Sequence, residues 1–167
     1  AHFDLVRVGI ALYGLAPSPA LEGAAPLQPA MTVRACVSLV RDVDKGEGVS
    51  YGLRHVFDEP AQVAVVPLGY ADGVPRRLGT AGGSVLIGGV RRPIRGVVTM
   101  DQLMVEVTDG PVVEAGDEVV LLGRQGDEQI TAQEWADLLD TISYEVVCGF
   151  GPRMPRVHLD RAPGRPG

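Results

Sequence analysis

From Met31 onward the chain is organised by short runs in which apolar and polar residues alternate. The first run has the two-residue period of a half-buried β-strand and carries apolar side chains at Val33, Ala35, Val37 and Leu39. Later strand-like segments are 63–68, 82–96, 103–107, 118–122 and 143–147. We expect the apolar run 63–68 at the centre of the sheet and a hairpin over 82–96 that turns at Gly88-Gly89. About seven strands of this spacing predict a mainly β domain, a compact barrel-like or sandwich arrangement of short strands.

One helix is predicted late in the chain, over residues 132–140. Thr131 and Glu134 have the spacing of a capping box, in which each side chain accepts a hydrogen bond from the other residue's backbone N–H. The apolar residues that follow have helical spacing and form one stripe, made of Trp135, Leu138, Leu139 and Ile142. The fold is therefore expected to combine many strands with a single helix.

The first 30 residues differ from the rest. Residues 3–14 form an apolar run broken by Arg7, which predicts a buried strand over 5–12. Residues 16–30 carry four prolines and are expected to be a linker. We divide the chain into a strand segment at 1–15, this linker, a β domain at 31–160 and a flexible tail at 161–167. A strand without neighbours would be mobile or would pair with a second copy.

Composition and charge narrow the class of partner. With 167 residues, a formal net charge of −6 and 46% hydrophobic residues, the chain has the composition of a globular domain. The arginine pairs at 76–77 and 91–92 do not form the basic stripe of a nucleic-acid-binding protein. No apolar run approaches the roughly 20 residues that span a bilayer. Cys36 and Cys148 fit no metal or redox spacing, so we expect them buried, in a reducing cytoplasmic compartment, and expect no metal.

Candidate chemistry concentrates in three turn-like segments, 46–52, 67–73 and 98–102. Tyr51 stands among glycines, where few side chains are present to pack its ring, so the ring is expected to project into a space that another molecule fills. We expect the three segments to edge one site. On residue type alone, the alternative is a strand-end tyrosine that packs on the sheet, because a tyrosine base needs a partner for its proton and only His55 is near in sequence.

Six segments, in order, resemble the C-terminal domain of alanine racemase, a pyridoxal-phosphate enzyme. Their sequences are VRVGIALYG at 6–14, VSYG at 49–52, GYADG at 69–73, MDQ at 100–102, LGRQG at 122–126 and TISYEV at 141–146. Six ordered matches over residues 3–158 are more specific than any single motif. The resemblance implies the family's β fold and, in the complete enzyme, interconversion of L-alanine and D-alanine, which supplies D-alanine for bacterial peptidoglycan.

The resemblance also implies roles for four residues of the β domain. Tyr51 is similar to the tyrosine that exchanges the α-proton on one face of the substrate. In this family that tyrosine reaches the active site of the partner subunit, so a homodimer is implied. Tyr70 corresponds to a second tyrosine of the shared site. The Met100 N–H corresponds to a donor to the substrate carboxylate, and Asp101 lies at the substrate entrance.

Cofactor binding is likewise implied by resemblance. Arg7 corresponds to the arginine that faces the pyridine nitrogen of pyridoxal phosphate. Gly9 and Ile10 would offer backbone N–H groups to the phosphate, and the Tyr144 hydroxyl would be a further donor. Because a guanidinium stays protonated, it leaves the pyridine nitrogen unprotonated, and this weaker electron sink favours reprotonation at the α-carbon, hence racemisation over transamination.

The cofactor of this family also needs a covalently bound lysine. The only lysine, Lys45, lies in a predicted turn and matches no lysine of the family. In the family that lysine, and the histidine that orients the catalytic tyrosine, belong to an N-terminal (β/α)₈ barrel, of which residues 1–15 resemble the last strand. We therefore expect this chain alone to be inactive. Thr99 stands where relatives often carry cysteine, which should not alter a backbone contact.

Other interpretations of these residues are open at the level of sequence. Arg7 could pair with Asp4, Tyr144 could belong to the core, and Met100 could fill a gap in packing. The whole domain could be a non-catalytic β-barrel binding module, although its acidic charge does not favour nucleic acid. A related racemase with serine or broad amino-acid specificity is the third alternative.

Overall fold

The structure is a computed structural model that describes residues 4–159, and these residues divide into two compact units. One unit comprises residues 4–31 and 156–159, and the other is Thr32–Pro155. The described strands and α-helices all belong to the second unit. They are β1 Val33–Cys36, β2 Leu39–Val43, β3 Gly48–Val49, β4 His55–Val56, β5 Ala61–Val66, β6 Ser84–Ile87, β7 Val90–Arg95, β8 Leu103–Glu106, β9 Glu118–Gln125, β10 Glu128–Ile130, α1 Ala132–Leu139 and α2 Ser143–Cys148.

An antiparallel sheet forms the body of the second unit. Its strands follow the order β1-β9-β6-β7-β8-β5-β2, with β10 on β9, and β3 pairs separately with β4. The two end strands, β1 and β2, are joined by residues 37–38 alone, and Val37 and Ser38 hydrogen-bond to opposite ends of the sheet, at Asp117 and Val65. The sheet must therefore curl on itself, which confirms the predicted mainly β, barrel-like fold.

Side chains that point into the curl form the core. In β5 nearly every residue is buried, as predicted for the central run 63–68, and β5 lies between β2 and β8. The alternation predicted at 103–107 is also confirmed, because Leu103, Val105 and Val107 are buried. The hairpin of β6 and β7 turns at Gly88-Gly89 as predicted, with Ile87 opposite Val90.

The first α-helix begins where the sequence predicts. Thr131 caps α1 by accepting a hydrogen bond from the Glu134 N–H at 3.0 Å. The reciprocal half of the capping box is replaced, because the Glu134 carboxylate accepts hydrogen bonds from Arg91 on β7 instead. Trp135 is buried, but Ile142 is exposed, so the predicted stripe is wrong at its last member.

The strand predicted at 143–147 is wrong, because these residues form α2. Local hydrogen bonds join Val146 N to Ile142 O and Gly149 N to Glu145 O, and the short helix packs beside α1. Ser143 and Val146, three residues apart, form its buried face. The β-branched valines favoured a strand locally, and packing against α1 outweighed that preference.

The strand predicted over residues 5–12 is also wrong. Gly9 has φ +62°, which an extended strand does not allow, and Gly9–Tyr13 form a 3₁₀ helix. Leu5, Val6 and Leu12 are exposed, whereas Ile10 is buried. Within its own unit the described residues offer this segment no pairing strand, so its backbone forms local hydrogen bonds instead.

Three remaining expectations concern the cysteines, the tail and the membrane. Cys36 and Cys148 are free and exposed, so their predicted burial is wrong, because each lies at an element end and its side chain is directed away from the core. The tail predicted at 161–167 lies outside the described residues. No helix among residues 4–159 is both long and apolar enough to cross a membrane.

Candidate functional site

The three segments singled out in the sequence meet along residues 97–102. The turn that carries Tyr70 is fixed to this stretch by two backbone hydrogen bonds, Tyr70 N to Thr99 O at 2.9 Å and Ala71 N to Met100 O at 3.0 Å. Gly69 permits this approach, because a Cβ at this position would overlap the Met100 carbonyl. Tyr70 and Met100 are thereby held on neighbouring backbones.

The loop that carries Tyr51 contacts the same stretch at Val97. This loop follows the short β3–β4 pair, and the Ser50 hydroxyl donates a hydrogen bond to the Val97 carbonyl at 2.5 Å. The Tyr51 side chain is 69% exposed, so its ring does not pack in the core of this chain. The alternative of a tyrosine packed on the sheet is therefore wrong.

Met100 presents a free backbone donor beside these tyrosines. No acceptor among residues 4–159 takes a hydrogen bond from the Met100 N–H, and the side chain is 52% exposed, so Met100 is not a filler of the core. Thr99 closes the turn locally, since its N–H and its hydroxyl both donate to the Gln102 carbonyl, each at 2.9 Å. An anion could approach the Met100 N–H from solvent.

Two carboxylates and one guanidinium brace this turn. The Asp72 carboxylate is buried and accepts a hydrogen bond from the Gly69 N–H at 2.9 Å. Arg153 contacts Asp72 at 3.3 Å and Asp101 at 2.8 Å, so it joins the Tyr70 turn to the Met100 segment. The hydrogen bond to Asp101 and the charge of Asp72 raise the pKa of Arg153. Asp101 therefore carries a paired charge.

Tyr144 lies on α2 and is 37% exposed, so it is not a core residue. The end of α2 approaches the Tyr70 turn, because a Cβ at Gly73 would overlap the Gly149 carbonyl. The structure thus places α2, the Tyr70 turn, the Met100 segment and the Tyr51 loop in one continuous region of the second unit.

The remaining predicted residues belong to the other unit. Arg7 is exposed, and an ion pair with Asp4 is not among those that residues 4–159 form. Gly9 and Ile10 begin the 3₁₀ helix Gly9–Tyr13, whose first N–H groups point out of the helix end. A Cβ at Gly9 would meet no described atom within 4 Å, so the backbone there is open to a ligand.

Two titratable residues near the Tyr51 loop do not complete a site. His55 packs edge-on against Phe57 with ring centroids 4.6 Å apart; burial and the nearby Arg95 charge lower its pKa. Lys45 forms an exposed ion pair with Glu59 at 3.0 Å, unlike a lysine bound to a cofactor. The residues that the structure describes contain no cluster of three or more metal-ligating side chains.

Sequence reasoning missed three supporting residues, Ser50, Asp72 and Arg153. Ser50 and Asp72 stand inside the VSYG and GYADG segments, so their positions were marked without a role. Arg153 is 52 residues from Asp101, and no local pattern signals that pair. Only the tertiary structure shows the contact.

The fold and the site together describe a curled antiparallel β domain in which exposed tyrosines lie beside a free backbone donor. The sequence profile of the family "Alanine racemase, C-terminal domain" matches residues 30–158. The chain belongs to this family, which confirms the resemblance and overturns the alternative of an unrelated β-barrel binding module.

Individual relatives agree with this assignment. An alanine racemase of Symbiobacterium thermophilum is 52% identical over 158 residues, 95% of this chain and 42% of the relative. The structure of alanine racemase from Bacillus anthracis with bound L-Ala-P aligns with a TM-score of 0.84 and 42% identity, covering 90% of this chain and 39% of that one. Alanine racemase from Bartonella henselae with covalently bound pyridoxal phosphate aligns with a TM-score of 0.81 and 32% identity, covering 90% and 40%. The chain therefore spans about two fifths of the length of these proteins.

Proposed function

We propose that this chain acts as the C-terminal domain of an alanine racemase that interconverts L-alanine and D-alanine with pyridoxal phosphate, as a cytoplasmic homodimer that provides D-alanine for peptidoglycan. The main support is that three hydrogen bonds bring together the Tyr51 loop, the Tyr70 turn and the Met100 segment. Alanine is favoured over serine or a broad range of amino acids because the relatives carry the name alanine racemase.

Tyr51 supplies an acid–base group on one face of the substrate. Its exposure leaves the hydroxyl available to a molecule outside this domain. No hydrogen bond joins Tyr51 to His55 among residues 4–159, so the group that accepts the hydroxyl proton is expected from outside this domain. A partner subunit fits both facts, with Tyr51 completing the partner's site and Tyr70 lining it.

Met100 binds the carboxylate of the amino acid through its free N–H. Backbone donors aimed at an anion need no reorganisation when the anion arrives. The neighbouring Asp101 carboxylate would repel a second carboxylate, and its ion pair with Arg153 offsets that charge. The Arg153 contact thus makes an acidic residue compatible with the entrance for an anionic group.

The residues of this chain fit part of a pyridoxal-phosphate site. When bound, this cofactor draws electron density from the substrate's α-carbon and so makes its proton removable. Within the first unit, the open backbone at Gly9 and the Ile10 N–H suit the phosphate, and the exposed Arg7 suits the pyridine nitrogen. Tyr144, partly exposed on α2 of the second unit, is proposed separately as a further donor. Lys45 does not fit the covalent attachment, so the lysine belongs outside this chain.

The test is Tyr51→Phe in the complete enzyme. The change removes one hydroxyl from an exposed ring, so folding and cofactor absorbance should be unchanged. Racemisation should fall in both directions by about 100- to 10,000-fold, the usual contribution of such a group. Exchange of the α-proton from one enantiomer, catalysed on the opposite face, should survive better. Racemisation at the wild-type rate in both directions would refute the assignment of Tyr51.

A further inference from the structure

The residue before Tyr51 has an unusual backbone. Ser50 adopts φ +65° and ψ 177°, a region that is essentially restricted to glycine. Leu53, at the end of the same loop, has φ +44° and is also left-handed. A residue with a Cβ remains in such a conformation only when the surrounding structure holds it there. The contacts of Ser50 therefore determine the shape of the loop.

Two contacts hold Ser50. Its hydroxyl donates to the Val97 carbonyl at 2.5 Å. On the same side lies Gly96, where a Cβ would stand 2.8 Å from the Ser50 Cβ. The absence of a side chain at Gly96 leaves room for the Ser50 side chain. The Ser50 hydroxyl then bonds to Val97, the residue that follows Gly96.

This hydrogen bond joins the two parts of the proposed site. Ser50 is adjacent to Tyr51, and Val97 is three residues before Met100. Further along the same segment, Thr99 and Met100 accept the backbone hydrogen bonds of Tyr70 and Ala71. The Ser50–Val97 contact is therefore the direct tie between the tyrosine loop and the carboxylate-binding backbone.

We propose that Ser50 is a positioning residue, which sets the place of the Tyr51 hydroxyl relative to the Met100 N–H by holding a glycine-like backbone with a side-chain hydrogen bond. The inference rests on the proposed function of Tyr51. A misplacement of about 1 Å can cost up to about 100-fold in rate. Loss of the tie should therefore reduce the proton transfer at Tyr51 without removing the tyrosine.

The experiment uses the complete enzyme loaded with cofactor and four variants. Ser50→Ala removes the hydroxyl and keeps the strained backbone. Ser50→Gly removes the hydroxyl and relieves the strain, so it should fold at least as readily as Ser50→Ala. Gly96→Ala disrupts the same contact, because its new Cβ would stand 2.8 Å from the Ser50 Cβ. Gly88→Ala is its matched control, because Gly88 has φ +63°, close to the +73° of Gly96, and no described atom within 4 Å of an added Cβ.

The readout separates the two faces of the substrate. Each enantiomer of alanine is incubated in deuterium oxide, and deuterium at the α-carbon is measured in the recovered substrate and in the product. Ser50→Ala, Ser50→Gly and Gly96→Ala should lower kcat about tenfold to 100-fold. They should also reproduce the one-sided exchange pattern of Tyr51→Phe, with melting temperatures that do not follow the activity. Gly88→Ala should retain wild-type exchange on both faces.

Two results would overturn the inference. One is wild-type turnover in Ser50→Ala and Ser50→Gly, and the other is an equal loss on both faces in proportion to lost folded protein. In either case a one-sided loss in Tyr51→Phe would leave the proposed function standing. Unchanged racemisation in Tyr51→Phe would instead refute the proposed function itself, whatever the Ser50 variants do.

Discussion

The Arg153 guanidinium lies 2.8 Å from the Asp101 carboxylate, although the two residues are 52 positions apart. Arg153 also reaches the buried Asp72 at 3.3 Å. One side chain thus connects the residue next to Met100 with the carboxylate that orders the Tyr70 turn. This contact stabilises the turn and pairs the charge at the proposed entrance.

Arg153→Gln in the complete enzyme should raise the KM for alanine and leave kcat nearly unchanged. Removing the cation leaves Asp101 unpaired beside the backbone that is proposed to bind the substrate carboxylate, and the loss of one exposed ion pair predicts roughly a two- to fivefold change in KM. Arg153→Lys should restore part of the affinity.

The matched control is Arg34→Gln, which removes an equally exposed arginine from an ion pair with Glu118 on another part of the sheet. Inhibition by propionate, which offers a carboxylate without the α-amino group, should weaken in parallel with the KM for Arg153→Gln. An unchanged KM and inhibition constant would contradict the role given to this contact.

Gly69→Ala should destabilise the domain and weaken substrate binding. The new Cβ would overlap the Met100 carbonyl, and since this neighbour is backbone it cannot rotate away. Overpacking of this kind costs about 1–3 kcal/mol of unfolding free energy. Denaturant titration is the measurement, and Gly151→Ala is the control, because an added Cβ there has no described atom within 4 Å. Equal midpoints for the two variants would rule out the close approach.

Thr131 and Glu134 should contribute to stability in different ways. Thr131→Ala removes the helix cap and should lower the unfolding free energy by about 1 kcal/mol. Glu134→Gln should cost about 0.2–1 kcal/mol, the range for a partly exposed ion pair. A double-mutant cycle with Arg91→Gln checks the partner. If Glu134→Gln costs the same with and without Arg91, the carboxylate acts on the helix end rather than on Arg91.

His55 should make stability depend on pH. Burial, with Arg95 nearby, lowers the pKa of His55 in the folded chain below its unfolded value of 6.5. Between these two values the unfolded chain binds more protons, so stability is complete above pH 6.5 and decreases as the pH falls through the window. His55→Gln should flatten the profile of unfolding free energy from about pH 5 to 7. His158→Asn controls for the loss of one histidine, and an unchanged slope in His55→Gln would be the contrary result.

The strands were largely predictable because their signal is local. Alternation at Leu103, Val105 and Val107 marks a face that any sheet partner would bury, and Gly88-Gly89 allows only a tight turn. The strand predicted at 143–147 was wrong because Val146 and Val147 suit a strand as well as a helix. Packing against α1 decided between helix and strand, and the sequence of this stretch does not indicate where α1 lies.

The segments of the candidate site were marked by family motifs, whereas the bonds that assemble them were not. Nothing around Ser50 in the sequence indicates that its hydroxyl meets Val97, 47 residues away. The same holds for Arg153 and Asp101. The strand predicted over residues 5–12, which contains Arg7, Gly9 and Ile10, was wrong for a related reason. A strand depends on neighbours that the sequence of the segment cannot name.

Mixed dimers of the complete enzyme show whether Tyr51 serves the active site of a partner subunit, as we propose. One subunit carries Tyr51→Phe, and the other carries a substitution of the cofactor-binding lysine. Neither homodimer should racemise alanine appreciably. Random mixing should restore about a quarter of wild-type activity, because half of the dimers hold one site with the intact lysine of one subunit and Tyr51 of the other. No restored activity in mixtures that demonstrably contain the mixed dimer would show that Tyr51 acts within its own chain and not in the partner's site.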